Sequence, residues 1–200
     1  MKRPESLARF LDAARDALSP RVQERTPPAA AASRVFQALA TSVGDIARGT
    51  LVPPPAHRHL PSALQRARTA PGLSLLVEAF EALEPELRWR RRAGSEAHGT
   101  GFHDGHANTD IIGPTGLERR SDVWFGATLV APDVRYIDHR HPPEEVYIVL
   151  SEGEWYREGL GWHAPGIGGV VYNPPNVVHA MRAGPAALLA LWLLPSDPPG

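Results

Sequence analysis

Cysteine is absent from the 200 residues, so neither a disulfide nor a thiolate ligand takes part in whatever this chain builds. A charge excess is lacking too: 21 Lys and Arg stand against 22 Asp and Glu, a formal net charge of -1. That balance excludes the basic surface on which nucleic-acid binding depends. Long hydrophobic runs are missing, and the most apolar stretch, Ala186 to Leu194, falls far short of the roughly 20 residues that span a bilayer. After Met1-Lys2-Arg3 the chain goes directly into a charged, amphipathic pattern with no targeting signal. The expectation is a soluble cytoplasmic protein with neither a nucleic-acid nor a membrane partner. Helical-array repeats are also absent.

What is present divides into two regions of different character, 1–93 and 94–200. In the first, Leu7, Phe10, Leu11, Ala14 and Leu18 fall at helical spacing until Pro20, and Phe36, Leu39, Ala40, Val43 and Ile46 repeat the pattern after a Ser33 cap. Further helical segments are expected over Ser62 to Arg68 and Leu73 to Leu83, with Pro85 interrupting. Thr26-Pro27-Pro28 and Pro53-Pro54-Pro55 suit stiff connectors, and the basic run from Arg88 to Arg92 suits a solvated helix end. Beyond Ala93 the alternation of Val123, Phe125, Ala127 and Leu129 with Trp124, Gly126 and Thr128 predicts a strand. Val146, Ile148 and Leu150, Val170-Val171, and Ala186 to Leu194 read as further strands, and short strands separated by turns imply a β-barrel or double sheet.

Chemistry concentrates in Tyr136 to Tyr147, YIDHRHPPEEVY. Side chains alternate along a strand, so His139 and His141 share one face, and Glu145 and Tyr147 share another beyond Pro142-Pro143. His179 follows a turn at Pro174-Pro175-Asn176, where asparagine tolerates a left-handed backbone. His139, His141, Glu145 and His179 form a ligand set for one divalent transition metal, with iron, manganese, nickel, cobalt and zinc all accepting such donors. Four protein donors leave positions open on an octahedral ion, as a working site requires. His98, His103 and His106 lack acids at useful spacing and are expected in a hydrogen-bonded loop; His57, His59 and His163 are read the same way.

The spacing resembles the cupin superfamily. His139, His141, Glu145 and Gly153 follow its first motif, with the glycine one residue late, and Gly168, Pro174 and His179 follow its second, with Asn176 where glycine is frequent. A closer similarity is to the cupin-type dimethylsulfoniopropionate lyases, carried by Tyr136, His139, His141, Glu145, Tyr147, His179 and the runs HPPEEVYIVLSEGEW and DVWFGATLVAP. It covers most of the chain from about Gly101 onward. The resemblance implies a mainly β fold, a cupin double-stranded β-helix (jelly-roll-like barrel), behind a helical N-terminal region, which is expected to cover the barrel or form a homodimer contact, the alternative being that it shapes substrate entry. It also implies β-elimination on a zwitterionic small molecule, dimethylsulfoniopropionate, giving dimethyl sulfide and acrylate.

On the same resemblance Tyr147 is the base, and Tyr136 binds substrate or shares the base role. Three residues separate Tyr136 from His139, so both face the site only if a bulge lies near Ile137-Asp138. A sulfonium favours an aromatic wall, for which Trp155, Trp162 and Trp192 are available, although each is more simply explained as core. Two other functions use the same ligands: an iron(II) cupin dioxygenase, and a non-catalytic cupin in which the metal anchors a small carboxylate.

Overall fold

A computed structural model of the chain describes residues 2–49 and 51–195. Its helices are α1 (Glu5–Leu18), α2 (Pro27–Thr41), α3 (Leu60–Arg68), α4 (Ser74–Leu83) and the short α5 (Thr100–Asp104). The strands are β1 (Asp45–Ile46), β2 (His106–Gly113), β3 (Glu118–Arg119), β4 (Val123–Val130), β5 (Arg135–His139) and β6 (Glu145–Val149). They continue with β7 (Glu154–Arg157), β8 (Gly161–His163), β9 (Val170–Asn173), β10 (His179–Arg182) and β11 (Leu188–Pro195). Seven form one sheet in the order β1-β3-β2-β4-β11-β6-β9, and four form a second in the order β5-β10-β7-β8.

Period-2 alternation explains how the layers stack. On β4, β6 and β11 the side chains of Phe125, Ala127, Leu129, Val146, Ile148, Leu189, Leu191 and Leu193 join one core with the helices. The intervening Tyr147, Val149, Leu188 and Ala190 face the smaller sheet and pack with Tyr136, Trp155 and Met181. The larger sheet is thus covered on both faces, which is why β11 reads as an almost continuous apolar run. Helices cover its outer face: Phe10 of α1 lies with its ring 5.2 Å from Phe125 of β4 and 5.8 Å from Phe80 of α4.

Two ion pairs fasten the helical region to the sheet. Glu118 is fully buried, accepts from Arg3 Nε at 2.5 Å and from the Gly44 amide at 3.0 Å, and lies 3.6 Å from Arg120. Burial would raise its pKa, but these donors outweigh burial and hold the carboxyl below its usual range. Arg34 of α2 pairs with Glu144, which also accepts from the Tyr172 hydroxyl at 2.7 Å.

Several local expectations need correction. Helix α2 begins at Pro27 with Thr26 at its N-cap, so the prolines expected in a connector start the helix, where a missing N–H costs nothing. Ser33 is therefore interior, and the helix ends at Thr41, leaving Ile46 in β1. Pro55 likewise opens a short 3-10 turn, Pro55–His59. Arg88 to Arg92 is not a helix end: Arg90 pairs with Asn108 of β2 through two 2.8 Å backbone hydrogen bonds. Leu87 and Trp89 are buried while Arg88 and Arg90 are half-exposed, which is strand alternation that the charge run obscured.

Candidate metal centre and its cavity

Strand pairing assembles the site. In the β5–β10 pair His139 stands opposite His179 and Met181 opposite Tyr136, so three residue steps on β5 match two on β10. The extra residue is a bulge at Ile137-Asp138, and it turns Tyr136 and His139 to the same side. His141 follows in the turn to β6, where its carbonyl accepts from the Asn176 amide at 2.9 Å. Asn176 adopts φ 60°, the left-handed backbone its side chain tolerates. Glu145 and Tyr147 project inward from β6 and line the same cavity.

The three imidazoles are held alike. Nδ1 of His139 meets the Ile137 carbonyl at 2.9 Å, Nδ1 of His141 the Pro143 carbonyl at 2.7 Å, and Nδ1 of His179 the Val177 carbonyl at 2.9 Å. A carbonyl only accepts, so each Nδ1 carries the proton and each Nε2 is left with a lone pair. The three rings place a ligand atom each within 4.8 Å of one another. Glu145 Oε2 lies 3.3 Å from His141 Nε2 and 3.2 Å from His179 Nε2, and it accepts from Asn173 Nδ2 at 3.3 Å. His179 Nε2 is buried and, despite that short distance, makes no hydrogen bond among the described residues.

Three imidazoles and one carboxylate converging in this way are a donor set that fits a divalent transition metal. Protonation behaviour agrees. Burial, with His179 beside it, lowers His139 to about 4 and keeps it neutral. Burial would also lower His141, but hydrogen bonding to Glu145 overcomes it and raises its pKa. Burial alone would raise Glu145, yet the two imidazoles hold it far below the usual carboxylate range. Burial first, then the Glu145 charge, pushes the Tyr147 phenol well above its usual value.

The centre opens on a cavity of about 430 Å³ lined by Tyr136, His139, His141, Glu145 and Tyr147. Its remaining wall holds residues that sequence reasoning passed over: Asn108, Thr128, Trp124, Arg90 and Arg92. Arg90 is held by Asp110 at 2.5 Å. The Arg92 amide donates to His106 Nε2 at 2.8 Å, and His106 Nδ1 bonds the Phe102 carbonyl at 2.5 Å. His106 is therefore hydrogen-bonded as expected, but fully buried in a strand instead of a loop. His103 bonds Ser95 Oγ at 2.8 Å and His57 bonds Glu84 at 2.8 Å, and neither is among the residues lining the cavity.

The tryptophans separate by role. Trp155 is core, 6.3 Å from Tyr147 ring to ring, and Trp162 lies under the Arg182 guanidinium at 4.3 Å. Trp192 lines the cavity, and Gly126 makes the space for it: a Cβ there would stand 2.2 Å from the indole.

Residues 28–190 match the family model for dimethylsulfoniopropionate lyases. The chain is 28% identical over 127 residues to dimethylsulfoniopropionate lyase DddQ of Ruegeria pomeroyi, a match spanning 62% of this chain and 63% of that protein. The crystal structure of DMSP lyase DddQ from Ruegeria pomeroyi DSS-3 superposes with a TM-score of 0.72 at 25% identity, over 97% of this chain and 93% of that one. A chain from the crystal structures of the DMSP lyases RdDddP and RnDddQII gives a TM-score of 0.71 at 23% identity, over 96% and 93%. The mainly β architecture behind a helical N-terminal region is the fold class expected from the motifs. No described helix is long and apolar enough to cross a membrane.

Proposed function

The chain belongs to the dimethylsulfoniopropionate lyase family, and from that premise we propose that it cleaves dimethylsulfoniopropionate to dimethyl sulfide and acrylate by a metal-dependent β-elimination. The observation that supports this reading is the convergence of three imidazoles, each held through its Nδ1, with a buried carboxylate, at the wall of a cavity that also holds two tyrosines.

His139, His141, Glu145 and His179 would hold the metal. A divalent transition metal there would act as a Lewis acid toward enolate-like charge, and its positive charge would favour the Tyr147 phenolate against the burial and the Glu145 charge that raise its pKa. Tyr147, as phenolate, takes the proton from the carbon next to the substrate carboxylate. The C–H pair becomes the C=C bond of acrylate, and the C–S pair leaves with sulfur as neutral dimethyl sulfide. A sulfonium departs as a neutral thioether, so no general acid is needed. Tyr136 holds substrate, and the apolar faces of Trp124 and Trp192 suit its cationic sulfonium end.

Under anaerobic conditions the metal-loaded protein is expected to release dimethyl sulfide from dimethylsulfoniopropionate into the headspace. No dimethyl sulfide without oxygen, together with oxygen uptake in air, would support a dioxygenase instead. Binding of acrylate without turnover would leave a small-carboxylate-binding cupin.

A further inference from the structure

Four polar side chains at the cavity wall form a continuous hydrogen-bonded series. Trp192 Nε1 lies 3.0 Å from Thr128 Oγ1, Thr128 Oγ1 2.8 Å from Asn108 Oδ1, and Asn108 Nδ2 3.0 Å from the Tyr136 hydroxyl. Thr128, Asn108 and Tyr136 are all buried, so these groups satisfy one another without bulk water. Chemistry decides the direction. An indole N–H only donates, so the Thr128 oxygen accepts from it and the threonine proton turns to the next acceptor, Asn108 Oδ1. With its oxygen engaged, the Asn108 amide presents N–H to Tyr136, whose oxygen accepts. The indole donor leaves the threonine proton available to Asn108 Oδ1, which is the amide orientation the structure shows.

The backbone holds this arrangement rigidly. Asn108 and Thr128 are directly opposed on β2 and β4, and Asn108 is paired on its other side with Arg90 through both backbone hydrogen bonds. Trp192 reaches Thr128 by lying across Gly126, where any side chain would strike the indole. None of the three residues belongs to the proposed metal ligand set, and Asn108 Nδ2 and Oδ1 are engaged by Tyr136 and Thr128.

We infer that Trp192, Thr128 and Asn108 are a one-way relay of positioning residues that orients the Tyr136 hydroxyl. Its oxygen is already occupied as an acceptor on the Asn108 side, so its own O–H points into the cavity as a donor. Resting on the reaction proposed above, this gives the two tyrosines different work: Tyr136 donates to the substrate carboxylate, and Tyr147 remains the base.

Thr128→Val tests the relay, because it keeps the side-chain volume and removes only the hydroxyl. It is expected to raise KM for dimethylsulfoniopropionate and the inhibition constant of acrylate by a common factor of about five to ten, the worth of one well-formed hydrogen bond, with smaller change in kcat. Thr128→Ser should restore both. In a Tyr136→Phe background Thr128→Val should have no further effect, since a relay acting through Tyr136 has nothing left to orient. The Cζ resonance of Tyr136 in protein carrying ¹³C-labelled tyrosine should shift in Thr128→Val and return in Thr128→Ser, whether or not the protein turns over. An effect of Thr128→Val that is undiminished in the Tyr136→Phe background, or no change in that resonance, overturns the relay. A resonance that shifts in Thr128→Val and returns in Thr128→Ser, in a protein whose wild type releases no dimethyl sulfide, overturns the reaction and retains the relay.

Discussion

Replacing Tyr147 with phenylalanine is expected to lower kcat by about 10²- to 10⁴-fold, the usual contribution of a positioned base, while metal content stays at the wild-type level. The side chain is 2% exposed and packs against Trp155, so phenylalanine keeps the packing and removes one oxygen. That oxygen feels the Glu145 charge in a cavity it shares with His139 and His141, whose Nε2 atoms the proposed metal would engage. Measured under single-turnover conditions, the loss should appear in the chemical step and not in acrylate affinity. Unchanged kcat removes Tyr147 as the base and transfers that role to Tyr136. The relay would then orient a base instead of a carboxylate donor, and Thr128→Val would lower kcat in place of raising KM.

His179→Ala is expected to have the largest effect on metal binding. His179 is 1% exposed and brings its ring 4.1 Å from that of His139, and its Nε2 has no hydrogen-bond partner among the described residues. Loss of a ligand should exceed the roughly 10- to 100-fold cost of disturbing an outer partner. Asn173→Ala supplies that comparison, because Asn173 touches only the Glu145 carboxylate at the centre. Competition with a chelator should therefore rank wild type above Asn173→Ala above His179→Ala. Stoichiometric metal retained by a folded His179→Ala would remove His179 from the ligand set. His179→Gln, closer in size, separates lost ligation from a simple packing defect.

Much of the centre was legible because strand geometry is regular. The ExY spacing specifies one face of β6, and the three-residue step from Tyr136 to His139 demands a bulge, which the β5–β10 register contains; His141 lies past the end of β5 in a turn, where strand alternation does not place it. Asn176 was legible for a similar reason, since few residues other than glycine accept its backbone. The helical region was legible as elements but not at their starts. Pro27 and Pro28 break a helix interior yet open α2, a distinction that depends on where the first hydrogen-bonded turn forms.

The rest of the cavity was hidden by sequence distance. Asn108 and Thr128 are 20 residues apart and meet only through the β2–β4 pairing, and neither type signals chemistry by itself. Arg90 and Arg92 were hidden by composition, because a basic run masks the alternation that buries Trp89 beneath it. Strand partners, which no single run of sequence specifies, carry this half of the site.

Metal-dependent elimination is tested most directly by removing the metal from the protein and restoring it, with acrylate and dimethyl sulfide quantified in the same anaerobic reaction. The account predicts the two products in equal amounts from reloaded protein and neither from stripped protein. Full turnover by stripped protein, or dimethyl sulfide without matching acrylate, would contradict it.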